Sequence, residues 1–174
     1  MNYKRTLLDN ILPFWLNNAI DNENGGIFTC LDREGNIYGR DKSVWFQGRA
    51  LWTFCKAYNV VEKREEYLTA AKTIYDFLPK CTDTDGRMYF TVTEDGRELQ
   101  KRRYYFSETF AAIGCAEYYK ATGDKAILET AEKYFNKYTK KLINRDAICL
   151  PSTSPANAAW SLEKLIKVWK EHIF

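Results

Sequence analysis

Two stretches of this chain are versions of each other, 61 residues apart. Gly25 corresponds to Gly86, Phe28 to Tyr89 and Gly35 to Gly96. The same offset takes Phe14 to Tyr75, Trp45 to Phe106 and Tyr58 to Tyr119. Self-similarity at a fixed period means stacked supersecondary units, none of which can bury its apolar face alone. Each copy reads as an apolar stripe at helical spacing, a turn, a short strand, a loop ending in Gly, a return strand and a second helix. A unit of outer helix, β-hairpin and inner helix predicts a mainly α fold, an α/α toroid rather than a short-repeat solenoid.

The boundaries follow from the same signals. Leu7, Leu8, Ile11, Phe14 and Trp15 place a first helix over about 3–19, with Pro13 expected to kink or split it. A strand over 27–31 and a return at 37–38 make the first hairpin. A central helix over about 43–60 takes Ser43 as its N-cap. Another runs over about 64–78 and stops before Pro79. The second hairpin spans about 88–100, and an inner helix follows over about 106–120. Its Ala111, Ala112, Gly114, Cys115 and Ala116 suit close helix packing. Residues 121–124 stop one helix and restart the next, which runs over about 125–142. A loop at 151–155 replaces a third hairpin, and a last helix covers about 157–171. The count is six helices, or three pairs.

The central helix carries the chemistry. Trp45, Arg49 and Trp52 fall at i, i+4 and i+7 and share one face. Val44, Gln47, Leu51, Phe54 and Tyr58 cover another, so the helix is expected to be buried on both sides. A guanidinium on such a face needs an account. Either a carboxylate or carbonyls satisfy it, or it lies at the floor of a polar, aromatic-lined pocket.

Composition excludes several classes. The 174 residues suffice for one domain with a real core, and aromatic residues make up 16%. Net charge is +3, with both signs interspersed, so no basic stripe marks a nucleic-acid binder. No apolar run is long enough for a membrane span and no signal-peptide pattern opens the chain, which makes a cytoplasmic protein the default. Cys30, Cys55, Cys81, Cys115 and Cys149 lack metal-ligand spacing and read as free thiols, with Cys55 and Cys115 as core fillers. No metal or cofactor is expected.

The run Gly25-Gly26-Ile27-Phe28-Thr29-Cys30-Leu31-Asp32-Arg33, then Asp41-Lys42, then Val44-Trp45-Phe46-Gln47-Gly48-Arg49, closely resembles the N-terminal part of N-acylglucosamine 2-epimerases (renin-binding proteins). So does Arg103-Tyr104-Tyr105-Phe106-Ser107-Glu108-Thr109-Phe110 in the second copy. Phe-Ser-Glu there leans towards the acylglucosamine branch over the cellobiose-epimerase branch. The resemblance implies an (α/α)6 barrel, of which three helix pairs would be the N-terminal half. It ends near Asn144, leaving 1–144 family-like and 145–174 an atypical segment of one domain. A truncated or frameshifted gene product and a divergent short member both fit that pattern.

The resemblance also implies chemistry. The family inverts C2 of an open-chain N-acyl amino sugar, removing the proton beside the C1 aldehyde and returning it to the opposite face. Two histidines in the second half of the barrel carry that acid–base work. This chain has one histidine, His172, expected at the surface, so no catalytic residue is assigned and the chain alone is expected to be inactive. The substrate-holding set is Arg49, Trp45, Trp52, Phe106 and Glu108. Arg49 would face the open-chain carbonyl. Glu108 is expected to accept from a sugar hydroxyl, to hold Arg49, or to make an inter-helix hydrogen bond. The partner expected is a small N-acyl hexosamine, with a homodimer or a complementing second half to cover the open edges. The alternative is a non-catalytic sugar-binding or protein-interaction module. A carboxylate-using hydrolase or lyase on this scaffold needs two acids facing one pocket, and Glu108 is the sole candidate.

Overall fold

The computed structural model describes residues 3–101, 105–140 and 161–173. The chain divides into two compact units, Met1–Asn144 and Arg145–Phe174. The first holds the repeat.

Helix α1 (Tyr3–Thr6) runs through a π-helical turn, Leu7–Ile11, into α2 (Leu12–Asn18). Pro13 has no N–H to offer, so the wider turn falls just ahead of it and the helix continues without splitting. Strands β1 (Cys30–Leu31) and β2 (Ile37–Gly39) form the first hairpin, as predicted. A two-residue strand β3 (Lys42–Ser43) leads into α3 (Val44–Val60). Helix α4 (Glu65–Phe77) ends in a 3-10 turn, Leu78–Cys81, that accommodates Pro79. Strands β4 (Tyr89–Val92) and β5 (Glu98–Lys101) form the second hairpin, followed by α5 (Phe106–Thr122). Gly123 caps α5 in the left-handed conformation, and the Asp124 side chain accepts from the Ala126 N–H to open α6 (Lys125–Tyr134). A π-helical turn, Phe135–Thr139, extends α6.

Two details depart from the sequence reading. The second hairpin is part of a three-stranded sheet, because β3 pairs antiparallel with β4, Lys42 opposite Val92 and Ser43 opposite Thr91. Ser43 therefore serves the sheet, and its hydroxyl makes no capping bond to α3. The second unit shows α7 (Leu162–Ile173). The expected end of the third outer helix near 142, the loop at 151–155 and a helix start at 157 lie outside the described residues. So do the side chains of Leu162, Leu165, Trp169 and His172, while Ile166 on α7 is exposed.

The core of the first unit lies where α3, α4 and α5 meet. Leu51, Phe54, Cys55, Tyr67, Ala71, Ile74, Ala111 and Cys115 are all buried there. Helices α3 and α5 touch backbone to backbone. A Cβ on Gly48 would lie 2.5 Å from the Phe110 carbonyl carbon, and one on Gly114 would lie 2.5 Å from the Gly48 carbonyl oxygen. Among the described residues Cys30, Cys55, Cys81 and Cys115 are free thiols. Burial pushes the Cys115 and Cys81 thiols up to about 12.

In each copy a buried side chain at the equivalent position of the repeat fastens the hairpin to the helix that follows it. In the first copy, Gln47 accepts from the Ile27 N–H through Oε1 at 2.8 Å and donates to the Ile27 carbonyl through Nε2 at 2.9 Å. In the second, Glu108 Oε1 accepts from the Met88 N–H at 2.9 Å. Gln47 and Glu108 are 61 residues apart, as are Ile27 and Met88. Where the first copy has Gly26 before the bonded residue, the second has Arg87, whose Nε donates to the same Glu108 oxygen at 2.9 Å. A neutral fastening in one copy is a charged one in the next.

Candidate sugar-binding face

The close approach of α3 and α5 sets their remaining side chains side by side on an open face. Trp45, in the first turn of α3, packs against Phe106 and Phe110 of α5, with ring centroids 6.0 and 5.9 Å apart. Phe106 and Phe110 meet edge to face at 5.0 Å. Phe106 is 48% exposed and Ile113, two turns further along α5, is 43% exposed.

Arg49 lies one turn beyond Trp45 and is exposed. Its guanidinium stacks 4.5 Å from the Trp45 ring centroid and 5.2 Å from that of Phe46. Among the described residues it has no carboxylate partner, so two aromatic faces hold the cation and its N–H groups stay available. Beside it, between α2 and α3, is a cavity of about 220 Å³ bounded by Ile11, Trp15, Phe46 and Arg49, and by Thr53 and Phe54 deeper down the helix. The guanidinium forms part of the wall of this mainly apolar pocket instead of the floor of a polar one. Trp52 follows on the same face, 37% exposed, and makes no ring contact among the described residues.

The expectation that α3 is buried on both sides needs correcting. Val44, Gln47, Leu51 and Phe54 are buried, and Tyr58 packs against the core at its edge. The Trp45–Arg49–Trp52 side is open. Trp45 is held there by Phe106, Phe110 and the stacked Arg49 guanidinium. Glu108 also needs a different account from a place on this face. It is 0% exposed, and its carboxylate turns to Arg87 and Met88 rather than to Arg49 or to the open side. The bond it makes ties helix to hairpin, not helix to helix. Through Glu108, Arg87 is placed with its guanidinium 4.2 Å from the Tyr105 ring centroid, just ahead of Phe106.

Sequence reasoning missed Phe110, which completes the aromatic cluster. The signal was present, since Phe110 corresponds to Arg49 under the 61-residue offset and stands one turn after Phe106. The assembled face is therefore Arg49, Trp45, Phe106 and Phe110, with Trp52 further along α3. Arg103 and Tyr104, part of the second motif, lie outside the described residues. Among the described residues no group of His, Cys, Asp and Glu side chains could hold a metal ion, and no helix is long and apolar enough to cross a membrane.

Comparison with known proteins agrees with this architecture. A family model described as N-acylglucosamine 2-epimerase (GlcNAc 2-epimerase) matches residues 26–161. The N-acylglucosamine 2-epimerase of Rattus norvegicus is 38% identical over 122 residues, covering 67% of this chain and 29% of that protein. A cellobiose 2-epimerase of Bacteroides fragilis is 31% identical over 136 residues, covering 76% of this chain and 34% of that protein. The crystal structure of a sugar epimerase from a ruminal bacterium superposes with a TM-score of 0.71 at 30% identity, covering 79% of this chain and 36% of that one. This chain thus spans about a third of the length of the relatives it matches. The fold is mainly helical and matches part of an (α/α)6 toroid. The chain belongs to the N-acylglucosamine 2-epimerase family.

Proposed function

We propose that this chain supplies the substrate-holding side of a sugar 2-epimerase acting on an N-acyl hexosamine, and that it does no proton transfer by itself. The observation that carries the reading is the exposed Arg49 guanidinium, stacked on Trp45 at the edge of an aromatic cluster and without a carboxylate partner among the described residues. Aromatic faces stack on the apolar side of a sugar ring, and guanidinium N–H groups donate to its oxygens. Arg49 receives the open-chain C1 carbonyl, where negative charge builds up as C2 loses its proton. The preference for an N-acyl hexosamine over a disaccharide rests on 38% identity to an N-acylglucosamine 2-epimerase against 31% to a cellobiose 2-epimerase.

Inversion at C2 needs a base on one face of the carbanion and an acid on the other, each titrating near neutrality. The open face offers an arginine and aromatic rings, which do neither. The one histidine, His172, is not part of the described face. The chain therefore acts as a binding module, and the acid–base pair comes from outside these residues, from a complementing segment that also covers the cavity at Ile11 and Trp15. The test is exchange of the C2 proton. N-acetylglucosamine incubated in deuterated water with purified protein should gain no more deuterium than with denatured protein. Incorporation that is lost on denaturation would show a base at work and overturn the reading.

A further inference from the structure

The Asp41-Lys42 pair belongs to the motif that precedes α3, yet Lys42 takes no part in the open face. Its side chain is 0% exposed. The ammonium donates three hydrogen bonds, to Asp21 Oδ2 at 2.6 Å, to the Gly25 carbonyl at 2.7 Å and to the Glu94 carbonyl at 2.6 Å. Three donors meet three oxygens, so every N–H is satisfied. Phe28 and Phe77 close the cage, their ring centroids 4.8 and 4.5 Å from Nζ.

The three oxygens come from two distant parts of the chain. Asp21 and Gly25 bracket the turn that enters the first hairpin, where Asp21 Oδ1 also accepts from the N–H groups of Glu23 and Asn24. Glu94 is at the tip of the second hairpin, and its own carboxylate is held by Arg40 at 3.0 Å. Nothing in ordinary helix or sheet packing requires this convergence. Oxygens matched in number to an ammonium, with aromatic faces around it, are how a protein recognises a primary ammonium ligand.

We propose that the cage is a primary-ammonium binding site which the chain fills with its own Lys42, a tethered cation that latches both hairpins to the start of α3. The ligand class follows from the geometry: a primary alkylammonium, with a chain short enough to replace the lysine beyond Cβ.

Lys42→Ala removes three carbons and the nitrogen, so propylammonium is the matching probe. The variant should melt about 10 °C below the parent protein, and about 50 mM propylammonium should recover roughly half of that loss. Propanol, the same size without the charge, should recover none of it, and the parent should not respond to either. Equal recovery by propanol, or none by propylammonium, would overturn the proposal. If Lys42→Ala does not accumulate as folded protein, the same comparison is read as refolding yield from denaturant, with the same two outcomes deciding. Lys42→Met separates charge from packing, since it fills the volume without the cation. It should melt below the parent and exchange amide hydrogens faster at residues 21–26 and 93–97 together. A melt equal to the parent, or faster exchange confined to one turn, would show that the side chain only fills space.

Discussion

Gly48→Val should cost at least about 3 kcal/mol, and Gly114→Val nearly as much, read as a fall in the midpoint of denaturant unfolding. The reason lies in the backbones. At Gly48 even a single Cβ would sit 2.5 Å from the Phe110 carbonyl carbon and 2.6 Å from the Ala111 nitrogen. Neither atom belongs to a side chain that can swing away, so α3 and α5 must separate along their length. That separation also parts Trp45 from Phe106 and Phe110. The loss of stability outweighs the gain in helix propensity from removing a glycine, which is at most about 1 kcal/mol. An unchanged midpoint would mean that the two inner helices are not in backbone contact.

The second large effect separates two positions that the repeat makes equivalent. Gln47→Leu keeps the volume but leaves the Ile27 N–H and carbonyl buried without partners, which should cost about 2–4 kcal/mol. Glu108→Gln should be far milder. It retains an oxygen for the Met88 N–H and changes only Oε2, which is buried and has no hydrogen-bond partner among the described residues. Its cost is the weakened bond to Arg87, which is part-exposed. Unfolding curves of the two variants side by side check the claim. Equal losses would mean that the two side chains do not share a role.

That pair of residues also shows where the sequence was legible. The 61-residue offset carried helix order, both hairpins and the glycine turns, because apolar period and turn chemistry are local signals. The pairing of β3 with β4 was not readable, since two residues, Lys42 and Ser43, have no periodicity to detect. From sequence, Glu108 reads as an acid on an apolar stretch of helix, where a buried carboxylate suggests chemistry. The same offset places it opposite Gln47, and an amide that bonds a strand's backbone in one copy implies a fastening role in the other. The two-sided aromatic pattern of α3 suggested burial, because hydrophobicity alone does not distinguish a core from a surface kept for a ligand. What the structure adds is that Arg49 is exposed and stacked on Trp45, with no carboxylate partner among the described residues. Lys42 was legible only as part of a motif. Its three oxygen partners lie 17 to 52 residues away in sequence, beyond the reach of any local pattern.

The central claim is that the open face of α3 and α5 holds a sugar through Arg49 and Trp45. Titration of the protein with N-acetylglucosamine, followed by tryptophan fluorescence, tests it most directly, with Arg49→Ala and the surface variant Lys72→Ala run in parallel. The account predicts a saturable change in emission for the parent and for Lys72→Ala. It also predicts affinity at least about tenfold weaker for Arg49→Ala, since a hydrogen bond from a charged donor contributes about 1.5–3 kcal/mol. A saturable response that is identical in Arg49→Ala, or no response from a folded parent, would contradict it.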